Sequence, residues 1–546
     1  MIHLFQGALL LAPANPIAHY VYLLFHRDPF RGIYQPNAFD LSIEIPYFLV
    51  LAILSVYGVH RYCLTYYYLK NRDKKPKPLK SFDRLPRVTV QLPVYNERYV
   101  VERLIEAAIS LDYPRELLEI QVLDDSTDDT RQLCARLVRQ YASAGYPIKY
   151  LHRENRLGFK AGALAEGLKQ STGEFIAIFD ADFVPPPSIL HQMVHYFTDP
   201  RVGMVQGRWT WINRNYSALT EVESIMLDGH FVVEHGGRSS SGRFFNFNGT
   251  AGMWSRAAIE DAGGWEHDTL TEDTDLSYRA QMKGWKFIYD PDIVCPSELP
   301  VEMNSFKTQQ ARWAKGLIQV GKKILPIIWR SDQPLYIKME ATFHLTANLA
   351  YPLMIFFSLI LLPAMIVRFY QGWFQMLYLD LPLFILSTCT VSGFYVVSQR
   401  ALYPRGWMRR LLYLPFLMAT GIGLALTNGK AVIEALFGIE STFVRTPKYR
   451  VERNEEGWER KKYVRRRIGW IPAAELLLAG YFLLATAYSY SVQNYLTVPF
   501  LLLFLVGYAY MGTMSLLQTP VRRLWFSLQD FIRVRARETF PAPSES

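Results

Sequence analysis

Cysteine is scarce in this chain: 546 residues contain four, Cys63, Cys134, Cys295 and Cys389. Their wide spacing excludes a zinc-ribbon motif and a disulfide framework, so a reducing compartment is the expected home of the globular part. The N-terminal stretch lacks the basic start and small-residue cleavage site of a removable signal peptide. The formal net charge of +10 could by itself suggest nucleic acid. Lys and Arg crowd instead beside apolar runs, at residues 70–77, 405–410, 460–467 and 522–537. That is the pattern of the cytoplasmic face of a membrane protein, and no nucleic-acid partner is expected.

Hydrophobic residues make up 50% of the chain and aromatic ones 14%, concentrated near the start and after about residue 341. The length exceeds one ordinary core, so a soluble domain joined to a membrane part is the natural partition. Residues 45–69 read as a first span, and the basic stretch that follows places the next segment inside the cell. Residues 343–367, 377–397, 471–490 and 496–516 are also long enough to cross. Residues 411–437 are expected to be interfacial or re-entrant, because a full crossing would put the most basic loop outside. Residues 4–25 are apolar but interrupted by Pro13, Asn15, Pro16 and His19, which leaves span and interfacial segment both open.

Between about residues 85 and 330 short β runs alternate with helical patterns, with strands near 88–92, 118–123, 148–151 and 175–179. This alternation predicts a doubly wound, mostly parallel sheet, whose ligands sit beyond the carboxyl ends of its strands. The polar residues gather at those ends. Pro93-Val94-Tyr95-Asn96-Glu97 follows the first strand and Asp124-Asp125-Ser126-Thr127-Asp128 the second, as suits a base and ribose; a helix N-cap is the alternative for Ser126 or Asp128. Residues 153–162 form a basic turn opening a helix, suited to a diphosphate, with Lys160 either in that site or on the surface. Asp180 and Asp182 end the fourth strand, where two carboxylates at i and i+2 either hold one hard divalent cation or form a solvated turn.

The ordered set Asp124-Asp125, Phe179-Asp180-Ala181-Asp182, Thr271-Glu272-Asp273 and Gln309-Gln310-Ala311-Arg312-Trp313 resembles the membrane family-2 glycosyltransferases, the group of cellulose, chitin and hyaluronan synthases. Phe244-Phe245-Asn246-Phe247-Asn248-Gly249-Thr250-Ala251-Gly252 is most similar to the cellulose-synthase-like branches that make mannan, glucomannan or xyloglucan backbones. The resemblance covers roughly residues 85–450. It implies a GT-A catalytic domain in which Asp273, beside Glu272, is the catalytic base, and Asp180 and Asp182 hold Mg2+ or Mn2+ with the donor diphosphate. Pro93, Tyr95, Glu97, Asp124, Asp125, Lys160, Asp180, Gln309 and Arg312 would bind the nucleotide sugar, and Trp313, Asn248 and Gly249 the acceptor. The chemistry asks for these residue types on its own terms: a base to take the acceptor proton and a cation for the leaving phosphates, without the acid a glycosidase needs. The alternatives are first-turn acids for Glu272 and Asp273, favoured by the helix dipole, and an apolar interfacial stripe for Trp313 with Leu317, Val320 and Ile324. Phe443-Val444-Arg445-Thr446-Pro447-Lys448 resembles the gating loop of cellulose synthases, with Phe443, Thr446 and Lys448 at its marker positions; Arg445 departs from the pattern, and a solvated basic loop is the alternative.

The expected layout is a membrane segment at 1–80, a cytoplasmic catalytic domain with an interfacial helix at 81–330, a membrane domain at 331–520 with its loop at about 440–467, and a basic tail at 521–546. The expected protein is a multi-pass plasma- or inner-membrane enzyme. It would transfer glucose or mannose, from UDP-glucose or GDP-mannose, to a β-linked polysaccharide that it also translocates. Addition of one sugar to a lipid is the alternative, and an inactive scaffold or transporter a third reading that the intact carboxylates oppose.

Overall fold

The computed structural model describes residues 37–372, 377–440, 445–452, 456–459, 461–464 and 469–539. Residues 4–25 and Phe443, both named above, lie outside that set.

Seven strands form one sheet: β1 (Val88–Val94), β2 (Leu118–Asp124), β3 (Ile148–His152), β4 (Phe175–Ile178), β5 (Val202–Trp211), β6 (Gly252–Ser255) and β7 (Lys286–Ser297). Their spatial order is β3-β2-β1-β4-β6-β5-β7. The first four pair in parallel, as their spacing by helices requires. β6 runs antiparallel to both β4 and β5, and β5 returns to parallel pairing with β7. Strand residues pack alternately on two cores. Val88, Val90 and Leu92 share one with the helices Val101–Ile109 and Thr130–Ser143, while Ile176 and Ile178 share the other with Phe159–Gln170 and Glu272–Met282. The doubly wound, mostly parallel sheet expected from the alternation is therefore present, with one antiparallel strand that the local pattern did not disclose.

Four helices among the described residues are long and apolar enough to cross a membrane: Ala38–Asn71, Leu335–Gln371, Ile471–Ser491 and Val498–Arg522. Tyr47, Phe357, Phe482, Phe504 and Tyr508 pack them into one cluster. Leu377–Leu402 is a further helix beside them, packed against Ala38–Asn71. Residues 411–437 form two helical pieces bent by 41° at Leu424, a break that fits a re-entrant segment or a broken span. The last helix runs from Val498 to Thr539, so the basic stretch from 521 is helical as far as Thr539.

The 28-residue helix Met303–Arg330 joins the two parts. Lys307, buried on its first turns, donates to both Glu475 oxygens at 2.7 and 2.8 Å, and the helix packs on Ala425–Leu436. Its other face closes the carboxyl end of the sheet.

Candidate active site

At that end of the sheet lies a pocket lined from widely separated parts of the chain. β1 delivers Pro93, Tyr95 and Glu97; β2 delivers Asp125; the Phe159–Gln170 helix delivers Lys160; and β4 delivers Asp180 and Asp182. Asn248 and Gly249 come from the loop before β6, Glu272 and Asp273 from the first turn of Glu272–Met282, and Gln309, Arg312 and Trp313 from one face of Met303–Arg330. Thr446 and Lys448 line it too. Of the described sequence-predicted site residues, Asp124 alone is outside it: its buried carboxylate accepts from the Ser126 amide at 2.9 Å and the Tyr150 hydroxyl at 2.7 Å, shaping the turn that presents Asp125.

Charges in the pocket are paired closely. Lys160 contacts Asp180 and donates to the Gly249 carbonyl at 2.9 Å. Lys448 lies 2.9 Å from Asp182, which also accepts from Ser297 at 3.1 Å. Burial alone would raise the Asp182 carboxyl, but Lys448 and these hydrogen bonds hold it below its ordinary range. Among the described residues, no cation forms an ion pair with Asp273. Burial, then the neighbouring Glu272 charge, push its carboxyl up to about 7, against the pull of Lys160. Its Oδ1 accepts from the Thr274 amide at 2.7 Å, which fixes the side chain at the helix start.

Two glycines make this proximity feasible. Gly249 has φ +80°, and a Cβ there would lie 3.0 Å from Asp273 Oδ2. Gly316 lets Met303–Arg330 approach Thr271, where a Cβ would meet the side chain at 2.5 Å. Lys323, two turns further on, sits among Glu266, Asp268 and Asp275, 2.5 to 2.9 Å from each. Those three carboxylates are close enough to be read as a cation site. The lysine already fills it, and clamps the helix bearing Trp313 to the helix bearing Asp273.

The loop after residue 444 folds over the same pocket. Arg445 pairs with Glu97 at 2.9 Å and lies 4.0 Å from the Tyr463 ring centroid. Burial lifts Glu97 to about 7, with Arg445 opposing. Tyr463 donates to Asp128, and Lys462 reaches Asp129 at 2.8 Å. The departure from the gating-loop pattern at Arg445 thus has a partner in the loop after β1.

Several lining residues had no place among the sequence candidates. Trp209 and Trp211 end β5 on the pocket side, and their two-residue spacing was a readable signal for one face of a strand. Arg156, 3.2 Å over the Tyr95 ring, belongs to the basic turn. Glu298, whose carboxylate accepts from the Tyr449 amide at 2.9 Å, gave no local signal.

A sheet with acidic groups at its carboxyl ends, closed by a helix packed among apolar ones, makes an α/β domain with a polar pocket joined to helices long and apolar enough to span a membrane. Residues 86–316 match the family model described as "Glycosyltransferase like family 2". The matched segment is less than half of the chain and contains the Asp124-Asp125, Asp180-Asp182, Thr271-Glu272-Asp273 and Gln309-to-Trp313 motifs that resemble that family. Among curated proteins it is similar to glucomannan 4-beta-mannosyltransferase 2 of Arabidopsis thaliana, 44% identical over 276 residues, covering 48% of this chain and 52% of that one. It is also similar to glucomannan 4-beta-mannosyltransferase 1 of Cyamopsis tetragonoloba, 38% identical over 327 residues, 58% of this chain and 61% of that one. The matched part thus spans between half and two thirds of these relatives. Among solved structures, a mannosyltransferase from Pyrobaculum calidifontis in complex with GDP-Man and Mn2+ aligns with 72% of this chain and all of its own, at 21% identity and a TM-score of 0.47, too loose a likeness to bear on the site.

Proposed function

We propose that the protein is a membrane β-glycosyltransferase that moves a hexose from a nucleotide-diphosphate sugar to a growing β-linked polysaccharide and passes the product out among its own helices. The supporting observation is the convergence of Asp180, Asp182, Glu272, Asp273, Gln309, Arg312 and Trp313 on one pocket. The relatives' names favour mannose, attached through the 4-position.

In this reading Asp273 takes the proton from the acceptor hydroxyl, and its raised affinity for protons suits it to that work near neutral pH. Lys160 and Arg312 meet the phosphates, Trp313 stacks on the acceptor sugar, and Tyr95, Glu97 and Asp125 border the nucleoside. A single displacement inverts the anomeric carbon, so an α-linked donor gives a β-linked product. Asp180 and Asp182 offer hard oxygen donors at two-residue spacing on the pocket wall, which fits Mg2+ or Mn2+ once Lys448 yields its place at Asp182. The ion, when bound, supplies charge stabilisation for the departing diphosphate. Residues 445–452 and 461–464 act as a lid, held by Glu97, Asp128, Asp129 and Asp182.

The test is incubation of membranes carrying the chain with radiolabelled GDP-mannose and UDP-glucose, with and without chelator, followed by sizing and β-mannanase or β-glucanase digestion. A long, digestible, metal-dependent product is expected. Label recovered only in a lipid extract would turn the reading to single transfer, and a fully active metal-free enzyme would remove the role given to Asp180 and Asp182.

A further inference from the structure

We propose that Glu223 is an acceptor-side binding residue, whose side chain holds a hydroxyl of the glycan where the chain leaves the pocket for the membrane helices. The inference rests on the transferase reading above and adds a contact that no motif announces.

Glu223 lies on the helix Ala218–Gly229 and is fully buried. Among the described residues, neither of its carboxylate oxygens has a hydrogen-bond partner or an ion pair. Buried carboxyls are nearly always partnered, and an unpaired one calls for a missing companion. Its place in the helix says where that companion passes. One turn on, Leu227 lines the pocket. One turn back, Leu219 packs with Met303, Phe306, Leu424 and Met511, at the joint between the catalytic domain and the membrane bundle. The residue thus stands between the pocket wall and the bend at Leu424. A second buried, unpartnered oxygen, Thr420 Oγ1, belongs to Leu414–Gly423, which packs against the Glu223 helix.

The chemistry fits a sugar. A hydroxyl both donates and accepts, and a protonated carboxyl offers O–H and C=O to match. Burial keeps Glu223 in that form, its carboxyl pushed up to about 8 with Lys448 opposing. An aliphatic side chain would offer the glycan nothing, whereas an amide would still provide one donor and one acceptor.

The experiment compares the full-length wild type with Glu223→Gln, Glu223→Leu and Glu223→Met in membranes, supplied with labelled GDP-mannose and UDP-glucose and with β-1,4-linked manno- and cello-hexaose. Product length, acceptor KM, donor hydrolysis and thermal midpoint are read. The Leu and Met variants are expected to shorten the product and raise acceptor KM at least tenfold, with donor hydrolysis within twofold of wild type and an unchanged or higher midpoint. The Gln variant is expected to stay within twofold throughout. Unchanged product length and KM in Leu and Met, or damage in Gln equal to theirs, overturns the inference while leaving the transferase reading intact. Failure of the wild type to incorporate label from any donor removes that reading and this one with it.

Discussion

Asp273 has a carboxyl pushed to about 7 by burial and by Glu272, and a loop glycine against its free oxygen. Asp273→Asn keeps the shape and removes the basicity; donor binding should persist while transfer falls by about a hundredfold or more, the scale of a lost general base. Measured on the free enzyme as kcat/KM, the rate should fall about tenfold per unit as pH drops below about 7, because a protonated carboxyl cannot accept the acceptor's proton. Gly249→Ala puts a side chain into a left-handed backbone and 3.0 Å from Asp273 Oδ2. A loss of roughly 1 kcal/mol or more in unfolding free energy is expected, together with reduced turnover. Glu223 carries a linkage of its own. Its folded-state pKa of about 8 lies above the unfolded value, so the native chain holds a proton that the unfolded chain releases. Stability from that proton is complete below the unfolded pKa, near 4, and is lost as pH rises toward 8. Glu223→Gln should therefore raise the thermal midpoint relative to wild type more at pH 8 than at pH 5.

At the scale of elements, residues 445–452 and 461–464 are tied to the domain by side chains far from them in sequence: Glu97, Asp128, Asp129 and Asp182. Arg445→Ala breaks one tie and leaves Glu97 buried without its cation. Proteinase K should then cut within residues 445–452 or 461–464 several times faster than in the wild type, an effect that saturating donor should reverse if these residues close over nucleotide. These long-range pairs explain what the sequence could and could not disclose. β1 to β4 and their helices were legible because each carries its own periodicity, and the acidic pairs were legible because they follow those strands directly. β6 was not, since four residues inserted antiparallel beside β4 are set by pairing across more than seventy positions. The same holds for Arg445 on Glu97 and for the clamp around Lys323, where the partners approach only after the helices have packed. Trp209 and Trp211 were within reach, because alternate tryptophans at a strand end mark one face.

For the whole molecule, the pocket sits where the sheet's carboxyl end meets Met303–Arg330, and that helix is bound into the membrane bundle through the buried Lys307–Glu475 pair. In the proposed function, transfer and product exit would share this wall. Lys307→Met, which leaves Glu475 buried without its cation, should destabilise both parts together by on the order of 3 kcal/mol, the scale of a broken buried pair, read as a lower thermal midpoint. The central claim is that this shared wall makes a β-linked polymer with Asp273 as base. Its most direct test is the sized product from labelled GDP-mannose and UDP-glucose, made by wild-type and Asp273→Asn membranes side by side. A high-molecular-weight, β-mannanase- or β-glucanase-sensitive polymer from the wild type and none from the variant is the expected result; equal polymer from both would contradict the account.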